Sequence, residues 1–171
     1  MTGVTRKPAA DLSALFDVFV LAQTVKELLD SALADAPLSP EEYAVYSQLR
    51  ATPGITLTEM ARQLSAPLTT ASDWVRSMTE RGHVARHVQA GDRRSYGIEL
   101  TASGRLAHAR TSRSFEAANS RFVELLPRPE AQLRGYLREA TTAAREARAR
   151  VTRAGRDQSR SSAARATAHR P

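Results

Sequence analysis

Apolar residues recur three and four positions apart from Asp11 to about Leu33, at Leu12, Leu15, Phe16, Phe19, Val25, Leu28 and Leu29. This is the repeat of a long amphipathic helix, and Asp35, Ala36 and Pro37 end it. Ser39-Pro40-Glu41-Glu42 opens a second helix: Ser39 caps it, Pro40 suits its first turn and Glu42 completes a capping box. Tyr43, Val45, Tyr46 and Leu49 follow, and Pro53 and Gly54 stop it. Thr56 and Glu59 form a second capping box for a short helix through about Leu64. A turn from Ser65 to Leu68 leads into a helix from about Thr69 to Arg81. Gly82 supplies its left-handed cap. Within that helix Ala71, Trp74, Val75 and Met78 share one face, which we assign to the core.

The period then shortens from 3.6 to 2. His83–Val88 reads as a strand, Gln89–Arg94 as a charged turn and Ser95–Leu100 as the returning strand. Thr101 caps a long helix with Leu106, Phe115, Ala118, Phe122 and Leu125 on one side, broken by Pro127 and Pro129. A last helix from about Glu130 carries Leu133, Tyr136, Leu137, Ala140, Ala144, Ala147 and Val151. Two short helices about a tight turn, followed by a hairpin with arginines at its tip, describe a winged helix-turn-helix. The fold class is mainly α with a small β-hairpin wing, an α+β arrangement. Residues 39–101 form the winged helix-turn-helix. Residues 11–38 and 102–152 are flanking helices whose apolar faces exceed what so small a head can cover, so two copies are expected to bury them together. Residues 1–10 are a loose arm. Residues 153–171, nearly devoid of large apolar side chains, are expected to be a disordered basic tail.

Composition narrows the picture. Aromatics are only 5% of the 171 residues, so Leu, Val and Ala must build the core, which favours helices. There is no cysteine, hence no disulfide scaffold, thiolate metal site or thiol switch. Arg6 and Lys7 precede an apolar stretch as in a leader, but Asp11 and Asp17 interrupt it. No apolar run approaches the ~18 residues of a membrane span, and a cytoplasmic protein without membrane contact is expected. The net charge of +7 is uneven. Residues 1–75 hold five basic and nine acidic side chains, whereas 76–110 hold seven arginines against Glu80, Asp92 and Glu99. Residues 145–171 hold eight arginines against Glu146 and Asp157. Such segments suit a polyanion such as nucleic acid. His83 and His87 share a strand face and His108 lies further on, but no carboxylate completes a metal set. No nucleophile motif or glycine-rich phosphate loop occurs. An enzyme, a metal and a cofactor are therefore not expected.

Residues 91–105, GDRRSYGIELTASGR, resemble the wing of the MarR family of transcriptional regulators. Asp92, Arg94, Leu100, Thr101 and Gly104 stand at that family's spacing, and LTEMARQLSAPLTTASDWVRSMTERGHV before them resembles its two reading helices. The resemblance spans roughly residues 11–150. It implies an obligate homodimer joined through its first and last helices, a recognition helix in the major groove and a wing at the minor groove. It also implies repression relieved by a small phenolic or aromatic effector.

On this reading Thr69, Thr70, Ser72, Asp73 and Arg76 face double-stranded DNA, hydroxyls and guanidinium bonding to phosphates or base edges. Asp73 is unexpected there. It would repel phosphate, so it must accept from a cytosine amino group or orient an arginine. Arg93 and Arg94 are assigned to the minor groove, with Asp92 holding Arg94 through a charge-assisted hydrogen bond. Phe16, Tyr43, Tyr46 and Trp74 are weak candidates to line an effector pocket, each with a simpler place in the core. The rival readings are a winged helix used for protein assembly and a non-specific DNA binder.

Overall fold

A computed structural model describes residues 13–89 and 92–167, with side chains described for residues 13–87 and 96–155. The chain divides into two compact units, residues 1–121 and 122–171.

In the first unit, α1 (Ala14–Ala32) starts where the Ser13 hydroxyl accepts from the Phe16 amide. It buries no residue, and Leu15, Phe16, Val18, Phe19, Val20 and Leu21 are exposed along it. Helix α2 (Pro40–Ala51) has the anticipated capping box: the Glu42 amide donates to Ser39 Oγ at 3.2 Å and the Ser39 amide to Glu42 Oε2 at 3.0 Å. Val45, Tyr46 and Leu49 point into the core. A two-residue strand that the sequence pattern does not announce, β1 (Ile55–Thr56), leads into α3 (Leu57–Gln63). Thr56 caps α3 as expected, accepting from the Glu59 amide at 3.2 Å. The Glu59 carboxylate, however, takes hydrogen bonds from Arg62 and Gln63, which hold its pKa down at about 2. The turn after α3 places Ser65 at φ 55. Helix α4 (Leu68–Glu80) follows.

The hairpin is longer than its sequence suggests. β2 (Val84–Gln89) pairs antiparallel with β3 (Asp92–Leu100), and β1 joins the other edge of β3 to give the order β1-β3-β2. Residues read as a charged turn, Asp92–Arg94, thus belong to a strand, because pairing continues past an irregularity at Val88/Gln89 to Gln89↔Asp92. Helix α5 (Ala102–Glu124) buries Gly104, Ala107, His108, Thr111 and Ala118. Leu106, grouped by the sequence pattern with Phe115 and Ala118 on one side of this helix, is 61% exposed. The inward stripe is made of small and polar residues, a pattern that hydrophobicity alone does not mark. One core joins Leu38, Tyr46, Leu49, Met60, Val75, Met78, Ile98 and Leu100 with their neighbours, and Trp74 packs at its margin.

In the second unit α6 (Glu130–Thr167) runs 38 residues. The expectation of a disordered tail from residue 153 is corrected here: the helix continues to Thr167. Alanine and arginine are strong helix formers that need no apolar face to propagate an existing helix. The arm at residues 1–10 lies outside the described residues.

Candidate nucleic-acid interface

At ~100° per residue, α4 divides into two stripes. Ala71, Val75 and Met78 are buried on one side, and Thr69, Ser72, Asp73 and Arg76 are exposed on the opposite side. Thr70 lies at the boundary between them and is half-buried. The four exposed side chains, three or four residues apart, therefore form a single polar ridge. Asp73 and Arg76 are joined on it, with Nη2 donating to Oδ1 at 2.5 Å, and both remain more than half exposed. The structure thus assigns Asp73 a partner on the same ridge, one of the two roles open to it on chemical grounds.

The exit of α4 is locked. Gly82 takes φ +67, and its amide bonds to Thr79 O while the His83 amide bonds to Met78 O, both at 2.9 Å. These are the two bonds of a Schellman cap. The residues after the wing hold that cap from outside. Thr101 Oγ1 and Ser103 Oγ donate to Gly82 O at 2.8 and 2.9 Å, and the Thr101 amide donates to His83 O at 3.0 Å. Thr101 Oγ1 also accepts from the Gly104 amide at 3.2 Å, capping α5. Gly104 sits so close that a Cβ built there would lie 2.2 Å from His83 O. Thr101 and Gly104 of the resemblance, with Ser103, therefore form a clasp between the ridge-bearing helix and α5.

Asp92, Arg93 and Arg94 have their backbone in β3; their side chains lie outside the described residues, as does the expected Asp92–Arg94 hydrogen bond. Two residues that sequence reasoning passed over stand beside the ridge. Arg86 of β2 and Tyr96 of β3 are exposed, and with Thr56, Thr58, Ser72 and Ile98 they line a cleft of about 300 Å³. They share the sheet face of the buried Val84, Ile98 and Leu100, past the edge of the core, and strand alternation alone does not set them apart from core residues.

A second, mostly apolar cleft of about 450 Å³ lies between α1, α2 and α5, lined by Leu29, Leu33, Tyr43, Ser47 and Phe115 among others. Tyr43 stacks on His108 with centroids 5.0 Å apart and bonds to Ser112 Oγ at 3.2 Å. His108 Nε2 meets Ser47 Oγ at 3.0 Å. Burial, and next the Arg50 charge, lower the His108 pKa, with Glu116 opposing. Of the other aromatic candidates, Tyr46 is wholly buried, Trp74 packs against the core and Phe16 is 46% exposed. Among the described residues no group of three or more carboxylates and histidines is placed to hold a metal ion, and no helix is long and apolar enough to cross a membrane.

No family model matches the sequence. The HTH-type transcriptional repressor Rv2887 of Mycobacterium tuberculosis is 28% identical over 102 residues, 60% of this chain and 73% of that protein. The transcriptional repressor CouR bound to a 23-mer DNA duplex superposes with a TM-score of 0.68 at 24% identity, covering 82% of this chain and 99% of CouR. CouR from Rhodococcus jostii RHA1 bound to p-coumaroyl-CoA gives 0.67 at 21%, covering 81% and 95%. MarR from E. coli gives 0.62 at 18%, covering 76% and 97%. The chain thus has the winged helix-turn-helix fold of the MarR regulators.

Proposed function

We propose that the protein is a cytoplasmic transcriptional regulator that reads duplex DNA as a homodimer, and that it represses until a small aromatic or phenolic ligand releases it. The observation that carries this reading is the ridge of Thr69, Ser72, Asp73 and Arg76 on α4. A helix anchored by its opposite face and presenting hydroxyls and a guanidinium beside a hairpin suits the major groove. Arg76 and Arg86 are the described cations at this face, and Arg93 and Arg94 belong to the wing. The exposed apolar side chains of α1 favour a second copy, since a row of Leu, Phe and Val is costly to leave in water. A two-fold dimer implies half-sites about 10 base pairs apart. The cleft beside Tyr43 is the candidate effector site: an apolar slot with an aromatic wall and a few hydroxyls suits a flat ring bearing polar groups.

The test is binding to a labelled fragment of the DNA upstream of its own gene, with non-specific competitor at fixed salt. Competitor-resistant binding, weakened about tenfold or more by Arg94→Ala on the scale of a ~1–3 kcal/mol groove contact, is the expected result. Absence of binding to any DNA at low salt would overturn the reading in favour of protein assembly. Binding that competitor fully removes would leave a non-specific binder.

A further inference from the structure

Helix α6 carries a feature that the reading head does not use. At ~100° per residue, Arg134, Arg138, Arg145, Arg148 and Arg153 fall within an arc of about 140°. All five are exposed. Leu133, Tyr136, Leu137, Ala140, Ala144, Ala147 and Val151 gather on another side of the helix. The arginine row extends ~28 Å at 1.5 Å per residue. Arg134 has Glu130 at 3.7 Å, whereas Arg138 and Arg148 are paired with no carboxylate among the described residues. Further along, the sequence adds Arg156, Arg160, Arg165 and Arg170 against Asp157 alone. The CouR and MarR structures are matched almost from end to end and leave part of this chain unmatched.

We propose that the arginine row of α6 is a second, sequence-independent contact for the phosphate backbone of duplex DNA. The reading deepens the proposed function but does not depend on the head recognising an operator. Duplex DNA presents one negative charge per ~1.7 Å of axis, so a helix with cations every turn or two along one side meets a continuous partner. Arginine fits this role because its planar fork bonds two phosphate oxygens at once. An anionic membrane is the less suitable occupant. Helices that lie in a bilayer surface bury Trp, Phe and Leu, whereas the apolar side of α6 is largely alanine over Ala140–Ala147 and exposes Tyr136, Leu137 and Val151 as its large members.

The test uses the full chain, a full-length triple variant Arg145→Gln, Arg148→Gln, Arg153→Gln, and the corresponding triple Arg→Lys variant. Each is titrated with a random-sequence 30-base-pair duplex by fluorescence anisotropy across a salt series, with circular dichroism to confirm equal helicity. Each phosphate contact contributes about 0.9 to the slope of log K against log salt. The Gln variant is expected to lower that slope by about 2–3 per engaged chain and to weaken random-duplex binding at least tenfold at low salt. The Lys variant should retain the slope. An unchanged slope and affinity in the Gln variant would overturn the proposal. So would loss of binding to phosphatidylglycerol vesicles without any change on DNA. Failure of the head's reading would show separately, as random and upstream duplexes binding alike while the Gln variant still weakens both.

Discussion

Replacing Gly104 by alanine tests the clasp directly. A Cβ there would lie 2.2 Å from the His83 carbonyl oxygen and 3.1 Å from its carbon, whereas real Cβ atoms essentially never approach below 3.0 Å. Both atoms are backbone, so the chain must separate. Overfilling a packed site costs about 1–3 kcal/mol. The bonds at risk are Thr101 N to His83 O and Gly104 N to Thr101 Oγ1, each worth about 1 kcal/mol. Alanine returns about 0.5–1 kcal/mol through its higher helix propensity. The net expectation is a loss of roughly 2–4 kcal/mol. For a chain of this size that lowers Tm by roughly 5–15 °C. The matched control is Gly135→Ala in α6, where a Cβ meets nothing within 4 Å and alanine should be neutral or stabilising. Thermal melts of the two variants and the parent, at one protein concentration because the proposed dimerisation would add to apparent stability, decide it. Equal melting temperatures for the Gly104 and Gly135 variants would refute the clasp.

Two further outcomes follow from the site. Asp73→Ala frees Arg76 and removes a negative charge from the ridge, so random-duplex affinity should rise at low salt and the salt slope steepen by about 0.9 per subunit; titrations across salt read this, and a fall in affinity would show that Asp73 contacts DNA productively. The His108 pKa is held below its ordinary 6.5 by burial and by Arg50, against Glu116, so as pH falls the unfolded chain takes up that proton first. The stability this histidine contributes above pH ~6.5 is lost as pH falls below it toward the folded-state value. The urea midpoint should fall between pH 7.5 and 5.5, and His108→Gln should flatten that fall; identical pH profiles for the two proteins would remove His108 from the account.

Legibility in the sequence tracked how local each cause was. The capping box at Ser39 and the glycine cap at Gly82 depend on residues within a few positions, and both stand as read. The capping box at Thr56 was half right, since Glu59 has nearer donors in Arg62 and Gln63. β1 escaped notice because two residues carry no period and exist as a strand only through pairing with Gly97 and Ile98, some forty positions away. The inward side of α5 was not marked by apolar spacing for a related reason. Proximity to the His83 carbonyl demands Gly104, and the buried His108 is satisfied by Ser47 across the core, so polarity misleads where partners are distant. Of the α4 residues read as facing DNA, Thr69, Ser72, Asp73 and Arg76 share one exposed side and Thr70 sits at its edge. Arg86 and Tyr96 were missed because only the fold brings β2 and β3 against Ser72.

The same contacts limit how a ligand in the Tyr43 cleft would reach the α4 ridge. Tyr43 lines that cleft from α2. Its sequence neighbour Glu42 reaches Arg81 at the end of α4 at 2.7 Å. One turn on, Tyr46 bonds through its hydroxyl to His83 Nδ1 at 2.8 Å, beside the carbonyl that Thr101 grips. Helix α2 therefore touches both the cleft and the clasped exit of the ridge-bearing helix, and it is a rigid element without a break. A ligand shifts an equilibrium only as far as it binds one arrangement better than the other. The arrangement it would have to favour is one in which α2 moves against α5, where Tyr43 stacks on His108. If α2 also shifts against α4, the Glu42–Arg81 and Tyr46–His83 links must change, and both end on the residues that set where α4 stops. A ligand that shifted α2 would thus have a route from cleft to ridge through one helix and two side-chain bonds.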